Sequence, residues 1–117
     1  MIIRDIAMER VPRENHLGGT GKVEFKHLVP VELLKGEAKM FSVLTFEPGA
    51  GLGVHDHVDN FEIYYILSGK ATAIDDGKEV EVFPGDVIYT ADGASHSITN
   101  TGDSDMVMLA TVIFENK

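Results

Sequence analysis

Apolar and polar residues alternate with a period of two along most of this chain, and Gly, Pro, Asn and Asp interrupt the alternation every few residues. A period of two places alternate side chains on opposite faces of a strand. The pattern predicts strands over 22–31, 39–47, 61–67, 70–74, 79–82, 87–90, 95–99 and 105–114. Asp76-Gly77, between two such runs, is a two-residue hairpin signal. Pro48-Gly49 and Phe83-Pro84-Gly85-Asp86 read as turns, and residues 31–34 as one helical turn. Residues 1–8 read as a first strand or arm. Residues 13–21 read as a mobile loop, whose glycine clusters lack the strand-to-helix context of a phosphate cradle. Glycines at 49, 51 and 53 mark a tight, irregular approach to His55. With about ten short antiparallel strands and no long amphipathic helix, the expectation is an all-β barrel or jelly roll.

Length and charge narrow the possibilities. A chain of 117 residues is expected to form one domain with a single core. Its net charge of −9 disfavours nucleic acid and anionic membrane surfaces as partners. No apolar run is long enough to cross a bilayer, and the amino-terminal residues do not read as a secretory signal, so a cytoplasmic protein is expected. Absence of cysteine excludes disulfides, zinc–thiolate sites and a thiol nucleophile. All three arginines, Arg4, Arg10 and Arg13, lie in the first thirteen residues. The rest of the chain has only lysine with which to hold an anion.

The candidate chemistry lies in His55, His57, Glu62 and His96. On an extended strand His55 and His57 share a face, while Asp56 points the other way as a surface or supporting residue. A strand returning after Val58-Asp59-Asn60 can bring the Glu62 carboxylate beside both rings. Three imidazoles and a carboxylate form a ligand set for one divalent ion of the Mn, Fe, Co, Ni or Zn kind. Four protein ligands on an ion that prefers six leave two open positions. Each ring is expected to donate its other nitrogen to a supporting acceptor. If Glu62 faces inward, so do Tyr64 and Ile66, and His96 inward implies Ile98 inward. Tyr64 is therefore the candidate polar or catalytic group of the cavity. Ile63, Tyr65 and Leu67 then form an outer apolar stripe suited to a homodimer interface. His16 is a candidate lid residue, and His27 a candidate for the cavity mouth.

The spacing extends beyond the ligands. Gly49, His55, His57, Glu62 and Gly69 reproduce the first motif of the cupin family, and Gly85, Gly93, His96 and Asn100 resemble its second. Ala91 stands where that second motif usually has proline. The resemblance implies one cupin domain over 1–117, a double-stranded β-helix or jelly-roll barrel, with an arm and loop over 1–21 and the motifs at 49–69 and 85–100. It also implies one divalent metal on His55, His57, Glu62 and His96, with manganese or iron favoured over zinc, nickel or cobalt.

The chain is similar to small single-domain cupins of the oxalate-decarboxylase-like type. That likeness implies a metal-dependent dioxygenase or decarboxylase acting on a small oxygen-rich molecule. The alternatives are a non-catalytic metal or small-molecule binding module, and a sugar isomerase or epimerase. The oxalate decarboxylases carry an arginine three residues before the first motif histidine, where this chain has Leu52. That difference points to a less charged substrate, or to one held only through the metal.

Overall fold

The computed structural model describes residues 1–115. Its strands are β1 (Glu9–Glu14), β2 (Lys22–His27), β3 (Ala38–Phe46), β4 (Gly51–Asp56), β5 (Asn60–Ser68), β6 (Ala71–Asp75), β7 (Lys78–Val82), β8 (Val87–Thr90), β9 (Ser95–Asn100) and β10 (Met106–Phe114). Single 3₁₀ turns occupy Asp5–Ala7, His16–Gly18 and Val31–Leu34. Six strands form one sheet in the order β1-β2-β3-β10-β5-β8, and four form a second in the order β4-β9-β6-β7. Every pairing is antiparallel. This is the jelly-roll architecture expected from the alternation. The Asp76-Gly77 hairpin has positive φ at both residues, 48° and 86°, as the two-residue turn matched to strand twist requires.

The amino-terminal region departs from expectation. Of the two readings of residues 1–8, strand or arm, the strand does not form, and the first strand begins at Glu9. Charged residues and Pro12 disguise its alternation, and β1 tolerates them because it is an edge strand with most residues exposed. Segment 13–21, expected as a loop, completes β1, makes the 3₁₀ turn and lies directly on β4. Thr20 and Gly51 exchange backbone hydrogen bonds of 3.1 and 2.7 Å. A Cβ on Gly53 would collide with the Leu17 carbonyl oxygen, and one on Gly19 with that of Gly51. These glycines permit backbone-to-backbone contact rather than phosphate binding.

Register explains where the core ends and the site begins. Val23, Phe46 and Met106 lie side by side on the inner face of the six-stranded sheet. With Leu44, Met108, Ile66 and Ile98 they make an apolar core from which water is excluded. Asn100 closes this end, donating to the carbonyls of Phe46 (3.0 Å) and Ser104 (2.9 Å). Towards the other end the same inner rows change character: Glu62 lies opposite both Val112 and Thr90, and His27 opposite Ser42. The parity expectation for β5 holds, since Glu62, Tyr64 and Ile66 are buried and Tyr65 and Leu67 exposed.

Candidate metal centre

The two sheets bring the four expected ligand residues together. His55 (β4) and His96 (β9) are direct cross-strand partners in the smaller sheet. His57 follows the end of β4, and Glu62 reaches in from β5 of the larger sheet. A one-residue register shift between Leu52 and His55 sets their facing. Three residues apart on a regular strand, they would point to opposite faces. The bulge turns both inward.

Hydrogen bonds on the outer side of each ring determine what the inner side presents. His55 donates Nδ1–H to the Gly53 carbonyl (2.8 Å) and His57 donates Nδ1–H to Asn60 Oδ1 (2.6 Å). Both partners can only accept. The Thr90 hydroxyl, 2.8 Å from His96 Nδ1, can accept in the same way when that nitrogen carries the proton. Each ring thereby directs its Nε2 to the centre, able to ligate an ion once any proton shared with Glu62 has left. The Nε2 atoms of His55 and His96 are 2.8 Å apart, and those of His57 and His96 3.1 Å. Glu62 Oε1 lies 2.8 Å from His96 Nε2, 2.9 Å from His57 Nε2 and 3.4 Å from His55 Nε2.

Four electron-pair donors, all within 4.8 Å of one another, repel unless a proton or cation lies between them. Donors about 2.1 Å from a common ion and at right angles to each other are about 3.0 Å apart. The spacing and chemistry of the set fit one divalent ion, and the His55, His57, Glu62, His96 cluster could hold it.

Electrostatics agree with that fit. Burial raises the pKa of Glu62, but hydrogen bonds from His55, His57 and His96 together outweigh it and hold the carboxyl well below the usual carboxylate range. The bond to Glu62 raises the pKa of His57 against its burial. Desolvation lowers that of His96, overcoming the opposing pull of Glu62. Tyr64 is 1% exposed and stacks on the His96 ring, with centroids 4.8 Å apart and planes at 10°. Burial, followed by the Glu62 charge, pushes its phenol well above the ordinary value. Tyr64 therefore stays a neutral hydrogen-bond donor.

A cavity of about 390 Å³ opens over the cluster. His55, His57, Glu62 and Tyr64 line it, as do Leu52, His16 and His27, while His96 lies behind them. His16 packs edge-on against Phe25 at 5.3 Å, and His27 Nδ1 lies 2.6 Å from Ser42 Oγ. Asp56 is exposed at the rim. Leu52 lies where the sequence offered no cation, but the cavity does not lack one. Arg13 and Lys39 both line it. Arg13 comes from β1, which sequence alternation does not reveal. Lys39 is the extra residue where β3 slips register against β10. Asn60 and Thr90 also escape sequence reading as ring partners. The parity of Glu62 and its cross-strand pairing would have found Thr90.

The arrangement is a jelly-roll barrel with a candidate His₃Glu metal centre at its open end. The match to the family model of the cupin domain covers residues 42–112. A relative from Thermotoga maritima described as an oxalate-binding protein is 43% identical over 115 residues, 97% of this chain and 93% of the relative. The chain belongs to the cupin family. The crystal structure of a predicted oxalate decarboxylase from Thermotoga maritima superposes with a TM-score of 0.92 at 40% identity, covering 97% of this chain and 99% of that one. A sugar phosphate isomerase from Silicibacter pomeroyi shares the fold at 19% identity, with a TM-score of 0.77 over 97% of this chain and 75% of its own. Among the described residues no helix is long and apolar enough to cross a membrane.

Proposed function

We propose that the chain is one cupin domain over 1–117 that holds a divalent ion, manganese or iron, on His55, His57, Glu62 and His96, and uses it to bind a small carboxylic acid. The observation that carries this reading is the convergence of three Nε2 atoms and one carboxylate, each ring fixed by a hydrogen bond behind it. A 2+ ion beside Glu62 leaves about one net positive charge, which favours an anionic chelating ligand. The ion supplies Lewis-acid polarisation of a bound carboxylate or carbonyl. Tyr64, whose phenol hydrogen-bonds Glu62, would hold that carboxylate in place beside the bound acid, and the apolar walls would exclude water. The oxalate-binding relative makes oxalate the first ligand to try.

Two readings of activity follow. The ligand set and its open positions favour a decarboxylase or dioxygenase. The relative's description favours binding without turnover. The experiment is metal analysis of the purified protein, calorimetric titration of manganese, and then titration of the loaded protein with oxalate while carbon dioxide and oxygen are monitored. Stoichiometric metal with saturable oxalate binding is expected. Carbon dioxide release or oxygen uptake selects the enzyme, and its absence selects the binding module. Failure to bind manganese or iron would overturn the whole reading. We also propose a cytoplasmic homodimer, supported by the exposed apolar stripe considered below.

A further inference from the structure

The metal cluster fills only the floor of the cavity, and what stands above it has a definite chemistry. Arg13 pairs with Val23 and Val11 with Phe25 across β1 and β2, so Arg13 shares the inner face with both buried side chains. Its guanidinium carbon lies 5.1 Å from the centroid of Phe25. Stacking there limits where the side chain can go and leaves its N–H edge free. Arg10 and Lys26 are tied to Asp5 at 2.8 and 2.9 Å. Among the described residues Arg13 has no carboxylate partner. The register slip re-aims Lys39 into the same space. The charges of Arg13, Lys39 and His55 all act on His16, so these groups converge on one region.

Against these cations the cavity sets Asp56 at the rim and Glu62, which belongs to the cluster. A chain with a net charge of −9 thus keeps a guanidinium and an ammonium, without carboxylate partners among the described residues, near its candidate metal cluster. The rest of the lining is mostly apolar, with Leu17, Phe25, Met40, Leu44, Leu52 and Val112 beside His16, His27 and Asn60. A volume of about 390 Å³ is in the range that accepts molecules much larger than a two-carbon diacid.

Resting on the functional reading above, we propose that Arg13 and Lys39 hold the distal anionic group of an acid whose near end chelates the metal, so that the site selects acids carrying two anionic ends joined by a short apolar spacer. Oxalate is then the smallest fragment of the ligand class. Arg13 restores, from another strand, the carboxylate-holding charge missing at Leu52.

The test uses manganese-loaded protein and two probes that chelate alike, 2-oxoglutarate and 2-oxovalerate, which differ by the distal carboxylate. Calorimetric titration is expected to give 2-oxoglutarate an advantage of about tenfold or more, the size of a charge-assisted hydrogen bond. In Arg13→Gln and in Lys39→Met that ratio falls, and in the double variant it approaches unity. Arg13→Lys recovers part of it. Manganese affinity, measured on each variant, controls for misfolding. Equal affinity for the two probes, or a ratio that survives in the double variant, overturns the proposal. If the loaded protein binds oxalate but neither probe, the proposal fails while the functional reading stands. If it binds no acid at all, both fail.

Discussion

Thr90 shows how much of this site lies behind the ligands. Its hydroxyl fixes the His96 ring from a strand of the other sheet. Thr90→Val keeps the shape and removes the acceptor. Manganese affinity is expected to fall about 10- to 100-fold with little change in fold, which parallel calorimetry and circular dichroism would check. Protons compete for the same atoms. Glu62 raises the pKa of His57 above its ordinary value of about 6.5. In the metal-free protein that contribution to stability is complete below the ordinary value and is lost as pH rises through the raised one. Metal must displace the same proton, so metal-induced stabilisation runs the opposite way. The rise in melting temperature on adding manganese should be small at pH 5.5 and large at pH 8. A rise independent of pH would mean that the ion binds elsewhere. The four candidate ligand residues were legible in the sequence because His55 and His57 are two apart, Glu62 follows a short turn, and the spacing of all four with His96 resembles the cupin motifs. Arg13 was not, because its facing depends on pairing with β2 rather than on anything within residues 9–14.

At the level of elements, the junction between segment 16–20 and β4 carries the strictest steric demand. Gly53 supplies the carbonyl that orients His55 and has no room for a side chain beside Leu17. Gly53→Ala must separate the two backbones. A cost of about 2 kcal/mol or more is expected, lowering the melting temperature by roughly 8 °C or more, with weakened metal binding as a second effect. Thermal unfolding with and without manganese separates the two. The alternation exposed β3, β5, β9 and β10, whose residues are mostly half-buried or buried and keep the alternation through long stretches. It hid β1, whose solvent-facing residues and Pro12 are permitted only because nothing pairs with its outer edge. The bulge before His55 was equally invisible. A run of glycines signals irregularity without saying which residue is the extra one.

For the molecule as a whole, the outer face of the β5–β8 pair exposes a group of large apolar side chains. Tyr65, Leu67, Val87 and Tyr89 are 41%, 46%, 58% and 60% exposed, and Val87 and Tyr89 sit opposite Tyr65 and Ile63. Sequence parity had indicated only the β5 half of this patch, because β8 joins it through pairing. A second copy covering the patch would make the proposed homodimer. Light scattering at micromolar concentration is expected to give twice the chain mass, and Tyr89→Lys with Leu67→Lys to give the monomer. A wild-type monomer would remove the dimer from the proposal.

The contrast between an acidic exterior and a cavity lined by Arg13 and Lys39 also governs how a dianion arrives. Far away it meets a repulsive field, and only inside about one Debye length does attraction take over. Dissolved ions dampen the distant repulsion before they weaken the enclosed contacts. Entry of a doubly charged acid should therefore quicken as dilute buffer approaches physiological ionic strength, the reverse of the behaviour expected where opposite charges attract at long range.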